Sequence, residues 1–331
     1  MDRILLGHGS GGKMMHQLIR DYFSPAFGIE GTGDSAIVHV PSKRLAYTTD
    51  SYVVTPLFFP GGNIGDLAVC GTVNDLAVAG AEPLFLTAGF IIEEGFPLAD
   101  LKKIIASMSA AAKLANVRIV AGDTKVVNKG KADGIFINTS GVGVLREGVE
   151  IAASRIKPGD KVIISGEIGN HGVAILAERN GLTFDPPVQT DSRPLNDLVQ
   201  KMFAAASDIH FMRDPTRGGL ATTLKEAALE SGLCIKIQEN VLPIPPQVKG
   251  ACGLLGLDPL YVANEGILIA ILDGRHADAA VAAMKNHPFG RSTAIIGDVV
   301  EAPTGMVLLV TSIGGSRIID MLPGEQLPRI C

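Results

Sequence analysis

Excess positive charge is missing from this chain. Its 29 lysines and arginines stand against 34 aspartates and glutamates, a net charge of −5. That balance argues against general nucleic-acid binding, which needs a basic surface to neutralise phosphates. Paired cysteines are missing too. Cys70, Cys234, Cys252 and Cys331 show neither CxxC spacing nor the density of a secreted disulfide scaffold. The opening MDRILLGHGSGG has no apolar signal-peptide region, so the expectation is a reducing cytoplasm. No uninterrupted apolar run is long enough to span a bilayer, which excludes a membrane partner of that kind. Fixed-period repeats and low-complexity blocks are also absent. What remains is a chain of 331 residues, 47% apolar and 19% charged, with 39 glycines. It can bury the cores of about two domains and turn its backbone tightly at many points.

Periodicity gives a mixed α/β reading. Residues 13–23 place Met15, Leu18, Ile19, Tyr22 and Phe23 on one helical face behind a glycine-rich stretch. Strand-like runs follow at 36–40 and 44–50. A small-residue helix over 61–83 is expected to be stopped by Gly80 and Pro83. Then come a strand at 86–92, a long amphipathic helix at 98–117 and a strand at 117–127. Pro158-Gly159 before a fresh strand places a domain boundary near residue 150, giving domains 1–150 and 151–321. The second half repeats the mixture. Helices are expected near 170–181, 195–207, 218–232 and 276–287, and strands at 235–238, 266–272, 306–312 and 316–320. Gly314-Gly315 turns the last two strands into a hairpin. From Leu322 the chain reads as a flexible tail, 322–331, carrying Cys331.

A terminal thiol is either an accident or a tool. Prenylation needs three residues after the cysteine, and Cys331 has none. A nucleophile or carrier on a tether remains, and from Pro323 outward the tail would span roughly 25 to 29 Å if extended. At the other end GHGSGGK matches GxxxxGK through Gly7, Gly12 and Lys13, but Met14 stands where the Ser or Thr of a phosphate loop belongs, and only a few residues precede it. A true P-loop is rejected. Gly9, Gly11, Gly12 and Lys13 are kept as an anion-binding helix entry, beside the plainer reading of a mobile arm.

The carboxylates say more. Asp34, Asp50, Asp75, Asp123 and Asp214 each lie at the end of an element or among small apolar residues. Taken singly, each is a cap or turn former. As a set, they suit Mg²⁺ bridging nucleotide phosphates. Asp75, with Asn74, interrupts an otherwise apolar helix, where a buried carboxylate demands a partner. Asp214 opens a helix behind glycines. Glu265 precedes a nearly all-apolar strand, where its pKa can rise and suit it to act as a base, against a plain strand-edge turn. Lys125 is an active-site cation or a solvated loop lysine. His8, His171 and His210 show no metal-ligand spacing and are taken as structural.

In this order TTDSYVVTPLFFPGGNIGDLAVCGTVNDLAVAGAEP, AGDTKVV, RDPTRGGLATTLKEA and NEG resemble the superfamily of ATP-using enzymes that includes aminoimidazole ribonucleotide synthetase and selenophosphate synthetase. The likeness covers nearly the whole chain, and the terminal PRIC with GHGSGGK narrows it to the hydrogenase maturation carbamoyl dehydratases. The resemblance implies a PurM-like two-domain fold whose N-terminal domain forms a dimeric barrel in a homodimer. It implies that the carbamoyltransferase HypF loads Cys331, and that the tail then enters the chain's own ATP site. There the carbamoyl group is dehydrated to a thiocyanate, and cyanide passes to iron on a HypC–HypD scaffold. It implies ATP and Mg²⁺ at Asp50 and Asp75, and also at Asp34 and Asp214, with Lys125 and Glu265 handling the carbamoyl nitrogen. Two other functions remain open: phosphoryl transfer to a free small molecule, which would make Cys331 irrelevant, and a non-enzymatic thiol carrier switched by nucleotide.

Overall fold

The computed structural model describes residues 3–9, 13–28, 44–322, 327 and 329–331. Asp34, Gly11, Gly12 and the strand expected at 36–40 lie outside the described residues. Of Lys13 only the backbone is described.

The N-terminal helix is broken. α1 (Lys13–Leu18) passes through a π-helical turn, Ile19–Phe23, into α2 (Ser24–Phe27). Next come β1 (Leu45–Tyr52) and a short hairpin, β2 (Phe58–Phe59) and β3 (Gly62–Asn63). α3 (Ile64–Val78) starts at a capping box: the Gly65 amide donates to Asn63 Oδ1 at 2.8 Å and the Asn63 amide donates to Asp66 Oδ1 at 2.7 Å. Pro83 does not stop this helix. It lies inside β4 (Ala81–Glu93), which begins directly after the turn at Gly80. α4 (Leu98–Leu114) crosses over to β5 (Arg118–Val127), and β6 (Ile135–Leu145), absent from the sequence reading, returns through the middle. The sheet order is β1-β6-β4-β5, antiparallel except for the β4/β5 pair that α4 connects.

α3 is buried nearly all round, as its apolar composition requires, between this sheet and α4. Along β1, Thr48, Asp50 and Tyr52 face α3, and Tyr47 and Thr49 face away. The far face of the sheet is uncovered in the single chain, with Tyr47 71% and Ile91 46% exposed.

The second half is a seven-stranded mixed sheet. In chain order its elements are β7 (Lys161–Ile164), α5 (Asn170–Asn180), α6 (Asn196–Ala205), β8 (Ile209–Arg213), α7 (Gly219–Ser231) and β9 (Cys234–Gln238). α8 (Pro246–Leu255), β10 (Ile269–Leu272), α9 (Gly274–Lys285), β11 (Ala294–Val300), β12 (Val307–Val310) and β13 (Ser316–Ile319) follow. The strand order is β13-β12-β9-β11-β7-β10-β8, with β12/β13 the expected hairpin. α5 and α8 leave this sheet and pack Val173, Ile175, Val248 and Cys252 into the core of the first half. No helix among the described residues is long and apolar enough to cross a membrane.

The end of the tail is not loose. The Val53 amide donates to the Cys331 carbonyl at 3.1 Å and the Thr55 amide to that of Arg329 at 3.3 Å, an antiparallel continuation of β1. Leu327 and Ile330 are buried in the first core, Ile330 at 1% exposure. The expectation of a free tail fails at these residues, because an apolar slot and a row of unpaired backbone groups meet them.

Candidate active site

Four acidic side chains from four elements meet on the α3 side of the first sheet. Asp50 comes from β1, Asp75 from the last turn of α3, Asp214 from the loop after β8 and Glu265 from the loop before β10. Thr48 Oγ1 donates to Asp75 Oδ2 at 2.7 Å, and the Tyr52 hydroxyl donates to Asp50 Oδ2 at 3.3 Å. Burial, then the charges of Asp214 and Asp50, push the Asp75 carboxyl up to about 7. Burial, with Asp50 behind it, lifts Asp214 to about 6. Glu265 is driven well above the carboxylate range, first by burial and then by Asp214, Asp191, Asp50 and Asp75. Its Oε1 is buried without a hydrogen-bond partner among the described residues. Carboxylates that raise one another in this way form a site short of positive charge.

That deficit, and the oxygen chemistry of the donors, fit Mg²⁺. No group of three or more such side chains among the described residues forms a ready cage. The fit is therefore to an ion shared with phosphate oxygens and water.

Asn74, expected at the nucleotide, is spent on the protein itself. Its Nδ2 donates to the carbonyls of Arg193 and Glu265, both at 3.1 Å, and its Oδ1 accepts the Leu195 amide at 2.8 Å. It ties α3 to the second half of the chain. Lys125 and Asp123 are not brought to the cluster. They sit on the uncovered face of β5, at the opposite edge of the sheet from β1, three strand spacings or roughly 14 Å away. Lys125 Nζ binds both Asp123 oxygens at 2.6 Å, with both side chains 61% exposed. That pairing, across a solvated strand face, holds the Asp123 carboxyl below its ordinary value. Gly9 closes a 3₁₀ turn, Leu6–Gly9, ahead of α1.

Two of the three histidines are structural, as expected. His8 Nδ1 accepts from the Leu5 amide at 3.0 Å, and buried His210 pairs with Asp160 at 2.7 Å. His171 is different: its Nε2 donates to the Ile330 carbonyl at 2.8 Å, so it holds the tail. Arg179, about two turns further along α5, donates to the carbonyls of Thr55 and Arg329. Arg329 donates back to the Val53 carbonyl at 2.9 Å and to Asp133 at 2.6 Å. No histidine spacing in the sequence signals this seat. The docked end leaves Cys331 half-buried against the first core, three residues of extended chain, about 10 Å, from the level of Asp50.

Comparison with known proteins decides the lineage. Residues 32–145 match the family model "AIR synthase related protein, N-terminal domain" and 157–309 its C-terminal counterpart. A carbamoyl dehydratase HypE from Cupriavidus necator is 53% identical over 99% of this chain and 95% of its own. The Escherichia coli HypE is 43% identical over the whole of both. The chain belongs to the HypE carbamoyl dehydratases of the AIR synthase family. A crystal structure of HypE in complex with ATP, 46% identical, superposes with a TM-score of 0.95 over 99% of both chains. A HypE–HypF complex has a HypE-like chain 49% identical at a TM-score of 0.82, covering 92% of this chain and 99% of that one. A thiamine monophosphate kinase from Aquifex aeolicus, at 18% identity and a TM-score of 0.61, shares the fold alone.

Proposed function

We propose that the chain dehydrates a carbamoyl group carried on its own Cys331, using ATP. The observation that carries this reading is the seat of the tail, which sets the terminal cysteine along the strand that bears Asp50. The carbamoyl oxygen attacks the γ-phosphorus of ATP, ADP leaves, and the oxygen becomes part of a phosphate leaving group. Loss of both nitrogen protons and of phosphate then leaves a thiocyanate on sulfur, a net loss of water that balances ATP hydrolysis. Glu265, with an unpartnered buried oxygen and a raised proton affinity, takes a proton from that nitrogen. Asp50, Asp75 and Asp214, with Asp34, would hold Mg²⁺. When bound, it supplies the positive charge that draws the triphosphate in and lowers the proton affinity of the carboxylates around it.

Loading requires the tail to leave its seat, since backbone bonds and Ile330 bury it. HypF is proposed as the loading partner and HypC–HypD as the acceptor of cyanide, in a reducing cytoplasm. The division near residue 150 and the anion-binding role of Gly9, Gly11, Gly12 and Lys13 are kept as part of this reading. A homodimer formed through the uncovered face of β1-β6-β4-β5 would close that face into a barrel, and Asp123 and Lys125, which stand apart from the cluster of their own chain, are proposed to serve the second copy past its β1 edge. Mass spectrometry of the C-terminal peptide tests the reaction after incubation with HypF, a carbamoyl donor and ATP. The reading expects a carbamoyl adduct on Cys331 that becomes lighter by one water only when ATP is bound to this chain, and neither species in Cys331→Ala. A carbamoyl adduct that persists with ATP and magnesium overturns it.

A further inference from the structure

The segment between α5 and α6 shows no motif in the sequence, yet it touches both ends of the chemistry. Thr190 N donates to the Pro60 carbonyl at 2.8 Å, anchoring the segment to the first half. The next residue, Asp191, is 4% exposed and accepts two consecutive amides, Glu265 N on Oδ1 at 3.1 Å and Gly266 N on Oδ2 at 3.0 Å. Arg193 Nε donates to the Asp191 carbonyl at 2.9 Å. Only glycine fits at 266, because a Cβ there would lie 1.7 Å from the Asp191 carbonyl oxygen. The Asp191 carboxylate therefore sets the backbone from which Glu265 projects.

Thr190 works in the other direction. The Ile330 carbonyl cannot donate, so His171 Nε2 must carry the proton in their 2.8 Å bond. Burial with no exposed surface keeps the ring neutral, which leaves Nδ1 as an acceptor. The donor to Nδ1 is then the Thr190 hydroxyl at 2.8 Å. Its own oxygen accepts the Ser192 amide at 3.1 Å. One chain of bonds runs Ser192 N–H to Thr190 O–H to His171 to the backbone of the tail. Phe59 meets the imidazole edge-on at 5.6 Å between centroids and fixes its plane.

We propose that Thr190 and Asp191 are positioning residues that place the tail thiol and Glu265 in register, Thr190 through the His171 tautomer and Asp191 through the Glu265-Gly266 amides. The tail-seating half stands on geometry alone. The half concerning turnover rests on the dehydratase reading above.

Thr190→Val removes the hydroxyl at nearly constant shape, and Thr190→Ser keeps it. The full-length protein is treated with iodoacetamide, and modification of Cys331 is followed by peptide mass spectrometry; Cys70, Cys234 and Cys252 are buried and act as internal controls for folding. Loss of a buried donor predicts about a tenfold faster Cys331 alkylation in Thr190→Val, with Thr190→Ser near the parent. Carbamoyl-loaded protein should show a similar fall in kcat with KM for ATP unchanged, again spared in Thr190→Ser. Parent-like alkylation in Thr190→Val, or equal acceleration in both variants, overturns the seating role whatever the reaction proves to be. Faster alkylation with undiminished kcat overturns the coupling to chemistry. Should Thr190→Val expose the three buried cysteines, His171→Gln is read instead, because a glutamine amide can still donate to Ile330 and should restore slow alkylation if the donor alone matters.

Discussion

Removing a charge from the acidic cluster should stabilise the protein while disabling it. Asp75 has its carboxyl raised from 3.8 to about 7 by burial, Asp214 and Asp50. A raised folded-state value means that the unfolded chain ionises first. The folded state still holds its proton as pH climbs past 4, so stability that is complete below that pH is lost on the way to 7. The full rise corresponds to at most about 4 kcal/mol. Solvent reaches this half-buried side chain and screens it, so about 1–2 kcal/mol is the expected penalty. Asp75→Asn removes the charge and keeps an oxygen to accept the Thr48 hydroxyl. Without magnesium or nucleotide at pH 8.5, calorimetry should give the variant a Tm about 1.5–3 °C above the parent. At pH 4.5, where the folded carboxyl is neutral and the unfolded one is only just above its value of 3.8, most of the gain should be gone. With ATP and magnesium the order should invert, because only the parent binds the pair tightly and gains stability by mass action. An unchanged Tm at pH 8.5, or an equal gain at both pH values, would refute the claim that burial and neighbouring carboxylates penalise the ionised Asp75 in the fold.

Two further outcomes probe the tail and the distant lysine. Ile330→Ala truncates a fully buried side chain, a change that costs about 2–5 kcal/mol in a fixed core. Here the chain end can lift instead, so Cys331 alkylation should accelerate at least about tenfold with Tm almost unmoved; an unaltered rate would show that the Ile330 slot does not hold the tail. Lys125→Ala and Glu265→Gln should each abolish dehydration, and mixing the two proteins under subunit exchange should restore about a quarter of parent activity if a second copy supplies the lysine. Persistent inactivity of exchanged dimers would put Lys125 and Glu265 to work within one chain.

The sequence exposed the acidic residues but not their arrangement, and particular positions show why. Asp75 and Glu265 stood out because a carboxylate in an apolar run is costly, and the fold does gather them. β6 went unread for a packing reason. A Cβ at Gly141 would lie 2.8 Å from Thr72 and 2.9 Å from Leu76, and one at Gly143 would lie 2.9 Å from the Glu82 carbonyl oxygen. The glycines that let α3 and β4 close on this strand also erase its alternating pattern. Lys125 read as a site residue through the family resemblance of AGDTKVV, its own sequence context leaving a solvated loop lysine equally open. Periodicity gives the face of a strand but not its rank in the sheet, and β5 emerged at the far edge because α4 carries it past β4. Asp191 and His171 were invisible for a third reason: they act on backbone groups of residues far away in sequence, and a carbonyl or amide bears no residue signature. Reading such contacts requires the fold, and here the fold connects the loop carrying Glu265 to the seat of the terminal cysteine through two neighbouring residues.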